Sequence, residues 1–469
     1  MGLLPLFDAG EWLALIQHEL FLFATFFFIL GALDELAVDV AYGWLRVRGK
    51  AARCRVDEAQ LRARPLSGIA AVFVPAWDEA HVIRPMLIHA LLAWPQAEVR
   101  FYIGCYRNDA ATYDEAIIAA RTDARVRLVV HDRDGPTSKA DCLNALYDAL
   151  VAEEELTSER ARMVVLHDAE DMVDPAALAA LDTGLDHAEF VQLPVLALPQ
   201  RSSRFIGSHY CDEFAEAHAK VMVVRSAFGT GIPGAGVGCA VERDTLARLA
   251  EISGLGAPFA AESLTEDYEL GLNVSAIGGR SSFLRLRTKE GRLIATRAYF
   301  PSRIDAAVRQ KTRWIHGIAL QGWDRLGWSG GVLRLWMNLR DRRGPFAALV
   351  LAMAYLLVVS WGAIGIAALF GVFLPVAASP LLTIMLAICS ISFVWRALVR
   401  AAFTAREFGW REGLLAILRI PVSNVIAIMA GRRAIIAYIA TLRGGEVRWD
   451  KTEHVHHPAS ELLTSRAAA

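Results

Sequence analysis

The sequence predicts an α/β domain with a mostly parallel sheet, held between transmembrane helices. Three observations carry this. Between residues 66 and 330, short apolar runs suited to buried strands alternate with helix-like segments, the pattern of a parallel sheet. From 344 to 395 a run of 52 residues contains no Asp, Glu, Lys, Arg or His, room for two spans at about 20 residues each. A further apolar stretch lies at 12–33. Composition agrees: the 469 residues are 55% hydrophobic and 21% charged, with mean hydropathy +0.34, too apolar for a disordered chain. The length exceeds that of one ordinary domain. With 49 Lys+Arg against 50 Asp+Glu, the formal net charge is -1. That excludes the basic excess of a nucleic-acid-binding domain.

In chain order, the stretch 12–33 includes Phe26-Phe27-Phe28-Ile29-Leu30 and is long enough to cross a bilayer. It is led by Asp8 and Glu11, not by the basic region of a signal peptide. A retained transmembrane helix within 1–40 follows, with His18 and Glu19 its least comfortable residues. Arg46, Arg48, Lys50, Arg53, Arg55, Arg62 and Arg64 then form a basic linker at 41–65. The positive-inside rule puts that side, and the polar domain after it, in the cytoplasm. Arg340, Arg342 and Arg343, ahead of the next apolar run, favour the same side.

Within 66–330, strands are expected at 69–74, 100–105, 126–130 and 163–166, and helices at 81–93, 112–121, 138–152 and 176–185. Ligands of such a sheet sit beyond the carboxyl ends of its strands. The remainder, 331–469, is a membrane region with helices at about 346–373 and 380–399. Pro375, Ala378, Ser379 and Pro380 break them, and Arg396, Arg400 and Arg406 mark the return to the cytoplasm. The apolar segment 413–441 is interrupted by Arg419, Pro421, Asn424, Arg432 and Arg433. One or two interfacial amphipathic helices suit it better than a lipid-exposed span. The six cysteines are scattered without a CxxC pair and read as small core residues of a reducing compartment.

Three clusters can carry chemistry. Pro75-Ala76-Trp77-Asp78-Glu79 follows the first strand, and His167-Asp168-Ala169-Glu170-Asp171 the fourth. Asp168 and Glu170 flank one residue, so their carboxylates can converge on Mg²⁺ or Mn²⁺ bridging a diphosphate. A solvated acidic turn, with Asp174-Pro175 starting a helix, is the plainer alternative. In Glu262-Ser263-Leu264-Thr265-Glu266-Asp267, Ser263 and Glu266 fit a capping box. Asp267 is left over, one turn into a helix, where a carboxylate can take a proton from an attacking hydroxyl. Arg309-Gln310-Lys311-Thr312-Arg313-Trp314 suits a membrane-surface helix; equally, Arg313 can pair with phosphate and Trp314 stack on a sugar. Gly229-Thr230-Gly231-Ile232-Pro233-Gly234 matches GxGxxG but lacks a βαβ context, so a loop lining a cleft is expected. His454, His456 and His457 read as a solvated tail.

These clusters, in this order and followed by transmembrane helices, resemble the processive family-2 glycosyltransferases of GT-A fold, the group of cellulose and hyaluronan synthases. Asp168-Ala169-Glu170 resembles their DXD metal motif, Thr265-Glu266-Asp267 their TED motif, and Gln310 through Trp314 their Q(Q/R)xRW motif. Each is weak alone; together, at these spacings, they are specific. Asp34-Glu35-Leu36, Val74-Pro75-Ala76-Trp77, Gly135 through Asp141 and Asp212 through Glu216 narrow the likeness to a bacterial inner-membrane branch that serves exopolysaccharide secretion. It covers nearly the whole chain.

The resemblance implies a Rossmann-like GT-A domain inserted between transmembrane helices of a bacterial inner membrane. It implies inverting transfer of a sugar from a nucleotide donor, a UDP-hexose or UDP-N-acetylhexosamine, to a growing exopolysaccharide. It assigns Asp168 and Glu170 to Mg²⁺ or Mn²⁺, and Glu79, Asp109, Lys139 and Asp168 to the donor. Asp267 becomes the general base with Glu266 beside it, and Gln310, Arg313 and Trp314 hold the diphosphate and acceptor. Two departures stand out. Glu170 replaces a second Asp, and Cys105-Tyr106 stand where an Asp-Asp pair often meets uracil, with Asp109 the nearest carboxylate. The implied partners are a nucleotide-sugar, a glycan acceptor and the lipid bilayer, without nucleic acid. Three spans are few for a private polymer channel, so an export or outer-membrane partner, or an oligomer, is expected as well. A non-processive transferase to a polyprenyl phosphate, and a non-catalytic scaffold or phage-docking protein, are the alternatives.

Overall fold

The computed structural model describes residues 9–51, 54–371, 378–444 and 457–460. The four apolar runs form parallel strands at Ile69–Pro75, Val99–Tyr106, Val126–His131 and Ala161–Leu166. Helices Ile83–Ala93, Ala110–Thr122, Lys139–Thr157 and Ala177–Gly184 alternate with them. Ala70 through Val74 are all 0% exposed, because helices cover both faces of the sheet. The period of two splits this strand between two cores. Ala70, Val72 and Val74 pack with Ile83, Met86 and Leu87, while Ala71 and Phe73 pack with Leu143, Leu146 and Leu150.

Among the described residues the sheet has seven strands, in the order 126–131, 99–106, 69–75, 161–166, 239–242, 190–192, 281–283. From Ile69–Pro75 the chain builds outward on one side for two strands, then crosses back to place Ala161–Leu166 on the other. That reversal opens a crevice at the carboxyl ends of these two strands. The Asp78-Glu79 and Asp168-Glu170 turns sit there. Cys239–Glu242 pairs antiparallel with both of its neighbours.

Some helix starts differ from expectation. Asp174 lies ahead of the helix at Ala177–Gly184, accepting from Ala176 N at 3.0 Å. It is 0% exposed and paired with Arg292 and Arg297, as a buried charge must be. The expected capping box at Ser263 and Glu266 is also absent. Thr265 precedes the helix Glu266–Ala276, and Ser263 Oγ instead donates to Glu269 Oε1 at 2.8 Å. Glu266 is thereby released from capping.

Among the described residues, four helices are long and apolar enough to cross a membrane by length and composition: Glu11–Val47, Gly344–Leu369, Pro380–Phe408 and Trp410–Leu442. The expected break at Pro375 lies outside the described residues; Ser379 caps the next helix, accepting from Leu382 N. At one end of the bundle, Arg340 and Arg343 pair with Asp34 and Glu35 of the first helix. Both basic clusters therefore lie at the same end.

The segment 413–441 lies within one continuous helix, not two. Of its interrupting polar residues, Arg419 and Asn424 face protein, whereas Arg432 and Arg433 are exposed. Arg419, 0% exposed, donates to Asp212 at 2.8 Å and pairs with Glu412, and Asn424 meets the Tyr355 hydroxyl at 3.1 Å. Truncating one partner of a buried ion pair strands the other. Arg419→Ala is thus expected to cost about 3–5 kcal/mol, seen as a lower melting temperature in detergent. Exposed Arg411→Ala should leave that temperature unchanged.

Candidate active site

A cavity of about 770 Å³ opens at the crevice, within the usual size for a ligand site. Eight carboxylates and two cationic side chains, Lys139 and Arg313, line it. Lys139 starts the helix Lys139–Thr157, whose capping box joins Ser138 and Asp141. That cap aims the ammonium across the crevice, 2.5 Å from Asp168 Oδ1 and 4.0 Å from Glu266 Oε1. Burial works against a charged Lys139, but Asp168, Glu266 and Asp267 outweigh it and hold its pKa well above the ordinary lysine value.

The helix Glu266–Ala276 delivers both acids of its first turn to the cavity wall. Burial pushes Glu266 up to about 7, and the Asp267 charge adds to the rise. Burial raises Asp267 too, against the pull of Lys139. The two titrate as a pair, so a base of neutral-range strength is built from carboxylates. As pH falls through about 7, the pair takes up a proton and loses its accepting capacity. The kcat/KM profile for transfer should therefore fall on the acid side of neutrality. Glu266→Gln should move that limb to lower pH by removing one member of the pair.

Asp168 and Glu170 line the same cavity. Their turn is closed by Asp171, whose Oδ2 accepts from Asp168 N at 2.9 Å and lies 2.8 Å from His167 Nδ1. Among the described residues, no group of three or more His, Cys, Asp or Glu side chains is arranged to hold a metal ion. Two carboxylates nevertheless suit Mg²⁺ or Mn²⁺, which take their other ligands from water and substrate phosphate. The acidic lining also fits: a diphosphate entering it needs an accompanying cation.

On the opposite wall, the helix Ile304–Trp314 presents Gln310, Arg313 and Trp314 to the cavity. It continues into a π-helical stretch, Ile315–Gln321, a form frequent at functional sites. Gln310 Oε1 is buried without a hydrogen-bond partner among the described residues. Trp314 sits among Tyr210, Phe214 and Phe300, leaving it packed yet accessible from the cavity.

A family model described as "Glycosyltransferase like family 2" matches residues 68–317. The chain belongs to glycosyltransferase family 2. Among its relatives are bacteriophage adsorption protein B of Escherichia coli K12 and bacteriophage N4 adsorption protein B of Escherichia coli O157:H7. Each is 31% identical over 471 residues, covering 95% of this chain and 63% of the relative. The chain therefore spans less than two thirds of their length. Among solved structures, a mannosyltransferase from Pyrobaculum calidifontis in complex with GDP-Man and Mn²⁺ is 16% identical. It has a TM-score of 0.43 and covers 82% of this chain and 98% of its own. Glucosyl-3-phosphoglycerate synthase from Mycobacterium tuberculosis, in complex with Mn²⁺ and UDP-Glc, is 16% identical with a TM-score of 0.33. It covers 54% of this chain and 78% of its own.

Of the motif residues of this family-2 chain, Glu79, Lys139, Asp168, Glu170, Glu266 and Asp267 meet in the one cavity with Gln310, Arg313 and Trp314. Asp109 does not line it. Asp109 caps the helix Ala110–Thr122 and accepts from Asp78 N at 2.6 Å, so it braces the Asp78-Glu79 turn from behind. Cys105 and Tyr106 are buried, and neither lines the cavity.

Two lining features carried no role in the sequence. Trp77 lines the cavity at the end of the first strand, edge-on to Tyr106 at 5.1 Å between centroids. Tyr299 and Phe300 extend the aromatic wall beside Trp314. The glycine loop, expected to line a cleft, reaches the cavity just past 229–234, through Ala235 and Val237, and packs against Asp267. A Cβ on Gly236 would stand 2.2 Å from Asp267 Oδ2, and one on Gly234 would stand 2.3 Å from Asp267 O. Glycine at both positions lets the loop back directly onto the acid; its repeated spacing was the available signal. The tail differs as well. His454 and His456 lie outside the described residues, whereas His457 is 1% exposed and not solvated.

Proposed function

We propose that the chain is a metal-assisted, inverting hexosyltransferase of a bacterial inner membrane, with its catalytic domain in the cytoplasm. It moves a hexose or N-acetylhexosamine from a UDP donor to a growing exopolysaccharide. The observation that carries this is the meeting of Lys139, Asp168, Glu266 and Asp267 with Arg313 and Trp314 around one cavity.

The nucleoside end of the donor lies toward Trp77 and the 137–139 turn, and the diphosphate toward Asp168 and Glu170. Bound there, Mg²⁺ or Mn²⁺ supplies Lewis-acid stabilisation of the diphosphate. Asp267 takes the proton from the acceptor hydroxyl, whose oxygen attacks the anomeric carbon as the bond to UDP breaks. Configuration inverts because attack and departure are on opposite faces. Arg313 faces the negative charge that grows on the leaving diphosphate, where a fixed cation helps most. Gln310 Oε1 accepts from a sugar hydroxyl, and Trp314 stacks on the acceptor ring.

The Gln310-to-Trp314 cluster favours a glycan acceptor over a polyprenyl phosphate. Export of the product calls on an export or outer-membrane partner, or on a second copy of the chain. The test is UDP release by the purified chain across a panel of UDP-sugars with Mg²⁺ or Mn²⁺. Release with one donor supports the proposal; no release with any donor, metal or added membrane rejects it.

A further inference from the structure

The turn carrying Asp168 and Glu170 is held from behind by the far end of the chain. Residues 457–460 follow the last membrane helix in sequence and return to the sheet domain. There His457 Nε2 lies 3.0 Å from Asp171 O, and Ala459 N donates to His457 Nδ1 at 3.0 Å. His457 and Ala459 are 1% and 0% exposed. With Nδ1 accepting, the proton must sit on Nε2, so the imidazole is the neutral tautomer that donates to Asp171 O. Burial keeps it so, lowering its pKa to about 4. Asp171 is therefore gripped at two places: its carboxylate closes the turn on Asp168 N, and its carbonyl receives His457. Next along the loop, His89 Nε2 lies 2.9 Å from Val173 O.

We propose that His457 is a positioning residue: by docking on the Asp171 carbonyl it fixes the turn that presents Asp168 and Glu170 to the donor diphosphate. The inference rests on the reading of that turn as the donor site, and adds that the segment after the membrane helices completes it. Docking and donor binding then favour the same conformation of the turn, so by linkage each strengthens the other. His457 does not line the cavity, which separates this role from catalysis.

The experiment uses the full chain in nanodiscs with UDP and Mn²⁺ as probes. Hydrogen exchange of the peptide containing 457–460 is followed in wild type with and without the probes. UDP affinity at fixed Mn²⁺ is compared among wild type, His457→Ala and His457→Gln. The expected results are several-fold slower exchange with UDP and Mn²⁺, about tenfold weaker UDP binding by His457→Ala, and rescue by His457→Gln, whose amide N–H still donates. Unchanged exchange, or His457→Ala binding UDP as tightly as wild type, overturns the proposal while leaving the donor site in place. Failure of wild type to bind UDP at all overturns both. Should His457→Ala fail to fold, the wild-type exchange measurement decides alone.

Discussion

Asp267→Asn is expected to lower sugar transfer by about 10²–10⁴-fold, the usual worth of a positioned general base, while UDP binding stays within a few-fold of wild type. The amide matches the carboxylate in shape, so the fit against Gly236 survives. What is lost is a group able to accept the acceptor's proton. Glu266 cannot stand in readily: it is 5% exposed, and its Oε1 faces Lys139 at 4.0 Å. Removing the Asp267 charge also removes one cause of Glu266's raised pKa, making the remaining acid a weaker base. Turnover and UDP affinity measured separately decide the matter. A variant within tenfold of wild-type turnover would show that another group takes the proton.

Gly236→Ala should reduce turnover by about 10²-fold, the scale of an ångström's misplacement of a reacting group. The new methyl would lie 2.2 Å from Asp267 Oδ2 and 3.3 Å from Lys139 Nζ, so the carboxylate must move. The backbone there has φ +77°, which disfavours any L side chain by about 1–2 kcal/mol. Gly229→Ala separates these effects. Its φ is +61° and its Cβ would meet nothing within 4 Å. It should therefore lose stability like Gly236→Ala but keep wild-type turnover. Equal turnover in the two variants would mean that the loop does not set the position of Asp267.

The sheet was legible where strands are covered on both faces. Residues 69–74 and 163–166 read as unbroken apolar runs for that reason, and the polar residues after them led directly to the crevice. The strands Phe190–Gln192 and Ser281–Phe283 have three residues each, too few to show a period. Local motifs misled where tertiary bonds compete for the same side chain. Ser263 has the spacing of a cap but is taken by Glu269, and Asp109 looks like a ligand contact but caps a helix. His457 has the composition of a solvated tail; nothing nearby in sequence shows that Asp171 awaits it 286 residues away. In 413–441 the composition does not reveal that Arg419 faces Asp212.

The most direct test is to follow labelled sugar from UDP-hexose and UDP-N-acetylhexosamine donors into product, using the purified chain in nanodiscs with Mn²⁺. Label is expected in a glycan from one of these donors, with one UDP released per sugar transferred, and transfer at least about a hundredfold slower in Asp267→Asn. A folded wild-type protein that binds UDP but transfers label from no donor to any glycan or lipid acceptor would contradict it.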